Sequence, residues 1–453
     1  MSRPLRVAVV GSGPSGMYAA DALVGQEDIP VSVDIIDRLP SPFGLVRYGV
    51  APDHLSIRSV RDTLDRVLDH PAVRFVGNVE VGVDLTLGQL REFYDAIVLT
   101  YGASRDRALG IPGEDLARSI AATDFVNWYT GHPDTPTDAF VDFLATSTSV
   151  AVIGVGNVAV DVTRVLSKAP GEIEHTDMPE HVFAALRGSG VRDVHLVGRR
   201  GPAQATWTTK ELRELGELEE TGVLVAEGAA VDDTASQAAI AEDKAVARNV
   251  KVVGEWAARP EDDRGRHIHL HFRCRPVEIL GTDHVEGLVV ETTVLDGSGQ
   301  ASGTGQTHVI PVDAVIRSVG YRGTALEGVP FDERRSVIPN REGRVVEGES
   351  VVPGLYVAGW IKRGPTGIIG TNKKDAVQTI NCLLADYADP SAWSAARPAP
   401  EAVDEALAGR TVVPTDGWRR IDAAERALGA SRGRDRTTIH QRDGLLAAAD
   451  AGQ

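Results

Sequence analysis

Short apolar runs alternate with stretches of helical periodicity along most of the chain, the pattern of an α/β protein with parallel sheets. Two segments repeat one design. Arg6-Val-Ala-Val-Val predicts a strand, Gly11–Gly16 a glycine turn, and Met17–Leu23 an amphipathic helix. Ser149-Val-Ala-Val-Ile, then Gly154-Val-Gly-Asn, then Val158–Leu166 predict the same succession. Two dinucleotide-binding folds in one chain is the simplest architecture. Tyr94–Gly102 and Asp313–Gly320 read as strands that lead into crossings between domains, and Gly354–Trp360 as a third strand ending in glycine. Residues 390–415, rich in Pro and Ala, predict an irregular surface segment, and 417–430 a helix. The stretch 167–190 is a longer insertion than a standard unit holds.

The first turn, Gly11-Ser12-Gly13-Pro14-Ser15-Gly16, fits Gly-x-Gly-x-x-Gly. The first glycine permits the tight turn, the second lets a pyrophosphate approach, and the third lets helix and strand pack closely. Free N–H groups at the helix start, with the positive end of its dipole, suit phosphate. The next strand, Val31–Asp37, ends in a carboxylate placed for a ribose diol. An acid there repels a 2′-phosphate, so this loop suits FAD or NAD rather than NADP.

The second turn places Gly154, Val155, Gly156, Asn157 and Val158 at its helix start, with Ala159 at the third glycine position. The following strand, Val191–Val197, ends in Gly198-Arg199-Arg200-Gly201. Two guanidinium forks stand where an acid would bind ribose, and their geometry matches the 2′-phosphate of NADPH. A solvated arginine pair at a strand end would look the same in sequence.

Charge and cysteine content narrow the chemistry. The 453 residues carry a formal charge of −17, which argues against nucleic acid as a partner. There is no apolar run of membrane-spanning length and no secretory leader pattern after Met1, so a cytoplasmic location is expected. The 2 cysteines, Cys274 and Cys382, form no Cys-x-x-Cys, which gives no motif for a disulfide framework, an iron–sulfur cluster or a zinc site. No metal is expected.

Pro42-Phe-Gly-Leu-Val-Arg-Tyr-Gly-Val-Ala-Pro-Asp-His54, Val197–Pro202 and Gly359-Trp-Ile-Lys-Arg-Gly-Pro-Thr-Gly-Ile-Ile-Gly-Thr-Asn372 resemble the adrenodoxin-reductase-like NADPH–ferredoxin reductases, including those of actinobacteria. The resemblance runs over nearly the whole chain and is weakest over 390–453. It implies two Rossmann-like domains, with an NADPH domain (106–321) inserted in an FAD domain made of 1–105 and 322–453. It implies hydride transfer from NADPH to FAD, then single electrons to an iron–sulfur ferredoxin that feeds, at one remove, a cytochrome P450.

The same resemblance assigns residues. Leu45 and Val81 match positions lining the flavin or adenine site, and Trp360 one against the flavin ring. Gly367, Ile368 and Ile369 lead to a helix start capped by Thr371, whose N–H groups would face the flavin, with Gly367 also near NADPH. Arg107 and Glu211 match NADP contacts. His54, Asp161 and Glu214 match a hydrogen-bond network that orients the nicotinamide and handles protons. Hydride transfer needs no general base, so losing one of these slows the reaction without abolishing it. Separately, Lys210, Arg213, Lys244 and Arg248 could present a basic patch to an acidic ferredoxin.

Rival functions lack their signatures. A disulfide reductase needs a dithiol beside the flavin, and a glutamate-synthase reductase subunit a cysteine-rich segment. An NADPH/FAD monooxygenase is disfavoured by the Trp360–Asn372 segment. A non-catalytic redox sensor would not transfer a hydride from NADPH.

Overall fold

A computed structural model describes residues 3–260, 263–367, 369–389 and 392–451. The chain divides into two compact units. The first joins both ends of the chain, 1–105 and 320–453, and includes Thr130–Asp134; the second holds 106–129 and 135–319.

The first unit is built on an eight-stranded sheet. Its order is Asn340–Arg341, Arg344–Glu347, Ser350–Val357, Ala96–Leu99, Leu5–Val10, Val31–Asp37, Val73–Gly77, Val413–Pro414. The five strands from Ser350–Val357 to Val73–Gly77 are parallel. Leu5–Val10 is buried at every position, as a strand covered on both faces must be. The strand order reverses at Leu5–Val10, between Val31–Asp37 on one side and Ala96–Leu99 on the other. Such a switch point opens a crevice at the carboxyl ends of the strands. The helix Pro14–Val24 leaves from that end.

The irregular segment expected over 390–415 is a correction. It contains the helix Pro400–Ala406, with Pro400 at its first turn, and the edge strand Val413–Pro414. Val403 and Leu407 are buried in the core. The Pro/Ala composition masks these apolar anchors. The following helix, Thr415–Ala430, buries Trp418 against Phe43, with rings 5.5 Å apart and edge-to-face. Its Glu425 is fully buried between Arg47 and Arg436. This network ties the Thr415–Ala430 helix to the segment after the first glycine loop.

The second unit has a six-stranded parallel sheet in the order Ser119–Ala121, Ala314–Arg317, Ser149–Ile153, Asp193–Val197, Arg266–His271, Thr221–Glu227. Its order reverses at Ser149–Ile153, the strand before the second glycine loop. A three-stranded antiparallel sheet, Cys274–Leu280, Gly287–Leu295 and Ala301–Ile310, shares a buried cluster with it through Ala151, Ile153, Val197, Cys274 and Leu288. The insertion over 167–190 includes the helix Glu180–Arg187.

Candidate functional site

The first glycine loop lies at the switch point of its sheet. Gly11 has φ +105°, and a Cβ there would sit 2.7 Å from the Tyr101 Cα. A Cβ on Gly16 would sit 1.9 Å from the Gly11 carbonyl oxygen. Gly13 differs: a Cβ there would meet nothing within 4 Å. The outer glycines are thus required by the protein's own packing, and the middle one faces open space, as close approach of a pyrophosphate demands. Gly13 caps the helix Pro14–Val24 without any side-chain hydrogen bond, leaving the first N–H groups to a ligand.

Asp37 receives the Ser12 N–H at 2.8 Å and the Ser12 hydroxyl at 2.5 Å on Oδ2, and the Leu39 N–H at 2.9 Å on Oδ1. A carboxylate has about four lone-pair sites, so one remains for a further donor such as a ribose hydroxyl. Thr100 donates to the Val10 and Gly11 carbonyls at 2.9 and 2.8 Å and closes the loop from the neighbouring strand. The Phe43 N–H donates to the Ser12 carbonyl at 3.0 Å. Phe43 itself has φ +83°, strained for an aromatic residue, and its ring is fully buried. Neither Thr100 nor Phe43 is identifiable as a loop support from sequence. The Pro42–Gly44 segment signals Phe43 only through its turn residues.

Leu45 opens the short helix Leu45–Tyr48 and is half-buried. Val81, also half-buried, bridges to Leu85 and packs on the core. His54 is buried, and its carbonyl accepts from the Ile57 and Arg58 N–H groups.

Gly359 has φ +79°, and a Cβ there would sit 2.2 Å from the Ser15 hydroxyl oxygen. This close approach packs the Gly359–Arg363 turn on the first loop. Asp375 anchors the turn: it accepts the Gly359 N–H at 2.6 Å and pairs with Lys362 at 2.8 Å and Arg363 at 3.3 Å. Trp360 stacks at a tilt on Tyr321, centroids 5.5 Å apart. Its indole N–H is buried without a hydrogen-bond partner in the protein. Such an orphaned donor beside an uncapped helix start and the open face at Gly13 fits a bound flavin nucleotide.

The Thr371 cap is a correction. The helix begins at Ile369 and runs to Tyr387. Gly367, with φ +86°, supplies the left-handed turn that lets it start earlier, and Thr371 falls in the first turn against Gly367. Ile368 lies outside the described residues.

In the second unit, Gly154 has φ +134°, and a Cβ there would sit 2.2 Å from the Ser318 carbonyl oxygen. Gly156 caps the helix Asn157–Ser167 with no side-chain bond. Val155 and Asn157 are used by the protein: Thr206 N–H donates to the Val155 carbonyl at 2.9 Å, and Thr208 N–H to Asn157 Oδ1 at 2.8 Å. Val158 is half-buried in the first turn. Arg199 is exposed and Arg200 half-buried at the end of Asp193–Val197. The Arg199 and Arg200 carbonyls are held by the Thr293 hydroxyl at 2.7 Å and the Arg273 N–H at 3.0 Å. Neither guanidinium meets a carboxylate among the described residues. Burial, and then the Arg199 charge, lower the Arg200 pKa. The backbone is fixed, and two guanidinium groups held this way can take an anion.

The structure brings Asp161, Glu211 and Glu214 around one residue that sequence reasoning missed. Arg164 is 1% exposed, 2.9 Å from Asp161, 3.5 Å from Glu211 and 3.4 Å from Glu214. The signal was its position three residues after Asp161, on the same face of one helix. Arg107 is exposed. Lys210, Arg213 and Arg248 line an open groove of about 490 Å³ with Thr209, Glu214 and Glu217, so the patch is mixed in sign. Lys244 starts the helix Lys244–Ala257 that carries Arg248.

Comparison with known proteins agrees with this geometry. Residues 5–368 match the family model described as pyridine nucleotide-disulphide oxidoreductase. The chain is 42% identical to NADPH-ferredoxin reductase FprA of Mycobacterium tuberculosis, covering 96% of this chain and 97% of that protein. It is 39% identical to the mitochondrial NADPH:adrenodoxin oxidoreductase of Arabidopsis thaliana, covering 99% and 96%. The structure of M. tuberculosis FprA in complex with NADPH superposes with a TM-score of 0.91 at 41% identity, over 99% of this chain and 100% of that one. No helix among the described residues is long and apolar enough to cross a membrane. With two switch-point glycine loops, one followed by a strand ending in Asp37 and the other by a strand leading to Arg199–Arg200, the chain belongs to the pyridine nucleotide-disulphide oxidoreductase family, among the NADPH–ferredoxin reductases of the adrenodoxin-reductase type.

Proposed function

We propose that this protein is an FAD-dependent NADPH:ferredoxin oxidoreductase whose first unit holds FAD and whose second unit holds NADPH. The observation that carries the reading is the opposite chemistry at two equivalent strand ends: the Asp37 carboxylate and the Arg199–Arg200 pair. The flavin supplies the conversion between a two-electron hydride donor and a one-electron acceptor.

The residues do the binding and orienting. The Gly11-Ser12-Gly13-Pro14-Ser15-Gly16 loop receives the pyrophosphate at the open face of Gly13 and the N–H groups of the helix start at Ser15 and Gly16, Asp37 presents the ribose acceptor, and Trp360 a donor N–H and a ring face. Gly154, Gly156 and the helix start at Asn157 receive the second pyrophosphate, and Arg199 and Arg200 the 2′-phosphate. His54, Asp161 and Glu214 orient the nicotinamide and handle protons, with Arg164 as the positioning residue that holds the two acids. Hydride transfer requires none of them as a base, so their loss slows turnover. Single electrons then leave to an iron–sulfur ferredoxin, with a cytochrome P450 as an indirect consumer. The Lys210–Arg213 and Lys244–Arg248 face meets the acidic partner. Two free cysteines suit a cytoplasmic, reducing setting.

The test is anaerobic mixing with NADPH followed by a panel of ferredoxins. Bleaching of the flavin band, then ferredoxin reduction that falls as salt rises, is the expected result. No bleaching sinks the reductase reading; salt-independent ferredoxin reduction removes the basic patch.

A further inference from the structure

A cluster in the second unit has ligand chemistry that neither flavin nor nicotinamide uses. Glu227 ends the strand Thr221–Glu227, and His271, paired with it past a register shift, ends Arg266–His271. Cys274 follows the end of that strand by three residues and opens the next one. One ligand atom from each of Glu227, His271 and Cys274 lies within 4.8 Å of the other two. His271 Nδ1 is 3.1 Å from Glu227 Oε1, and His308 Nε2 is 3.0 Å from the same oxygen. Two ligands of one tetrahedral zinc ion lie about 3.3 Å apart, given metal–ligand distances of roughly 2.0–2.1 Å. The two distances from Glu227 Oε1 are close to that value, and the Cys274 sulfur lies within 4.8 Å of both other ligand atoms.

The corner is rigid. Phe272 N–H donates to the Glu227 carbonyl at 3.1 Å, and Cys274 N–H to the Gly198 carbonyl at 2.9 Å. Arg273, with φ +56°, makes the sharp turn that sets His271 and Cys274 on one side. A Cβ on Gly228 would sit 2.0 Å from the Phe272 carbonyl oxygen, so only glycine allows the two chains to meet there. The outer partner is present too: His271 Nε2 lies 2.9 Å from His195 Nδ1. A ligating imidazole characteristically donates its second ring N–H to such an acceptor, which fixes its orientation. His195 in turn stacks on His269, centroids 4.5 Å apart.

We infer that Glu227, His271 and Cys274 form a binding site for a zinc-class divalent cation, with His308 at its open side and His195 as the positioning residue. Sulfur, imidazole and one carboxylate select zinc or cobalt over magnesium or calcium. The ion would brace the corner whose backbone holds Gly198 and Arg200.

The experiment uses the full-length, flavin-loaded protein, stripped with chelator and titrated with Zn²⁺ or Co²⁺. One equivalent should bind by calorimetry, raising the melting temperature. Cobalt should give tetrahedral d–d absorption on the red side of the flavin bands. Cys274→Ser should abolish that absorption, and Cys382→Ser should leave it. If Cys274→Ser does not fold, the half-exposed Glu227→Gln and His308→Ala provide the test, with Glu227→Gln expected to weaken binding at least about tenfold. His195→Ala should also weaken it about 10- to 100-fold while the ligands remain. No stoichiometric binding up to about 0.1 mM Zn²⁺ in folded protein, or binding unaltered by Glu227→Gln, overturns the assignment.

Discussion

Replacing Arg200 with alanine should remove NADPH preference without harming use of NADH. Arg200 is half-buried, its carbonyl is tied to Arg273, and its guanidinium meets no carboxylate among the described residues. Its pKa is lowered first by burial and then by Arg199, so the folded protein holds two like charges together that a phosphate would relieve. A hydrogen bond to a charged group contributes about 1.5–3 kcal/mol, which corresponds to roughly 10- to 150-fold in kcat/KM. Arg200, the less exposed, should fall toward the upper figure and Arg199 toward the lower. The double variant should lose less than the product, because both forks serve one phosphate. The assay is steady-state kcat/KM for NADPH and for NADH with ferricyanide as acceptor, which keeps ferredoxin docking out of the measurement. The NADPH value should fall while the NADH value stays within about twofold. Parallel loss with both coenzymes, or an unchanged ratio, refutes the assignment.

Gly16→Ala places a Cβ 1.9 Å from the Gly11 carbonyl, so the purified variant should carry little flavin, measured as the ratio of flavin to protein absorbance. Arg164→Met leaves Asp161, Glu211 and Glu214 without their shared buried cation and should cost about 3–5 kcal/mol, read from the urea midpoint at neutral pH; an unchanged midpoint would show that the triad is not coupled to folding. His132 is buried beside the Tyr48 ring and accepts the Asp134 N–H at 3.2 Å. Burial, against a partial opposing pull from Asp134, depresses its pKa to about 4, and the charges of Arg38, Arg442 and Arg47 add to the depression. The unfolded chain therefore binds more protons than the folded one between roughly pH 6.5 and 4, and stability falls as pH drops through that window. His132 alone should contribute a loss of about 3 kcal/mol by pH 4. His132→Gln should flatten that slope in denaturation measured from pH 7 to 4; an identical slope would place the acid sensitivity elsewhere.

The local units were legible because their signals are local. A buried parallel strand, a glycine turn and an amphipathic helix need only adjacent residues, and Gly11–Gly16 and Gly154–Val158 state them in order. The contrast between Asp37 and Arg199–Arg200 was also readable, since Asp37 ends its strand and the arginines follow theirs after one glycine. The irregular reading of 390–415 failed because composition hides the few positions, Val403 and Leu407, that bind the segment to the core. The helix start at Ile369 escaped notice because a left-handed glycine, not a cap residue, determines it.

What tertiary structure alone decided are the relations between residues far apart in the chain. Nothing in the sequence says that Gly359 abuts Ser15, that Thr100 closes the Gly11 loop, or that Arg164 collects two acids from a different helix. Nor does it join Glu227 to His271 and Cys274, because a sheet register and a turn at Arg273 bring them together. Propensity and periodicity act over a few residues, whereas burial of charge and convergence of ligands are set by which strands pair. The dinucleotide loops were therefore determined by the sequence by itself, and their supports and the candidate metal site by the packing of the whole chain.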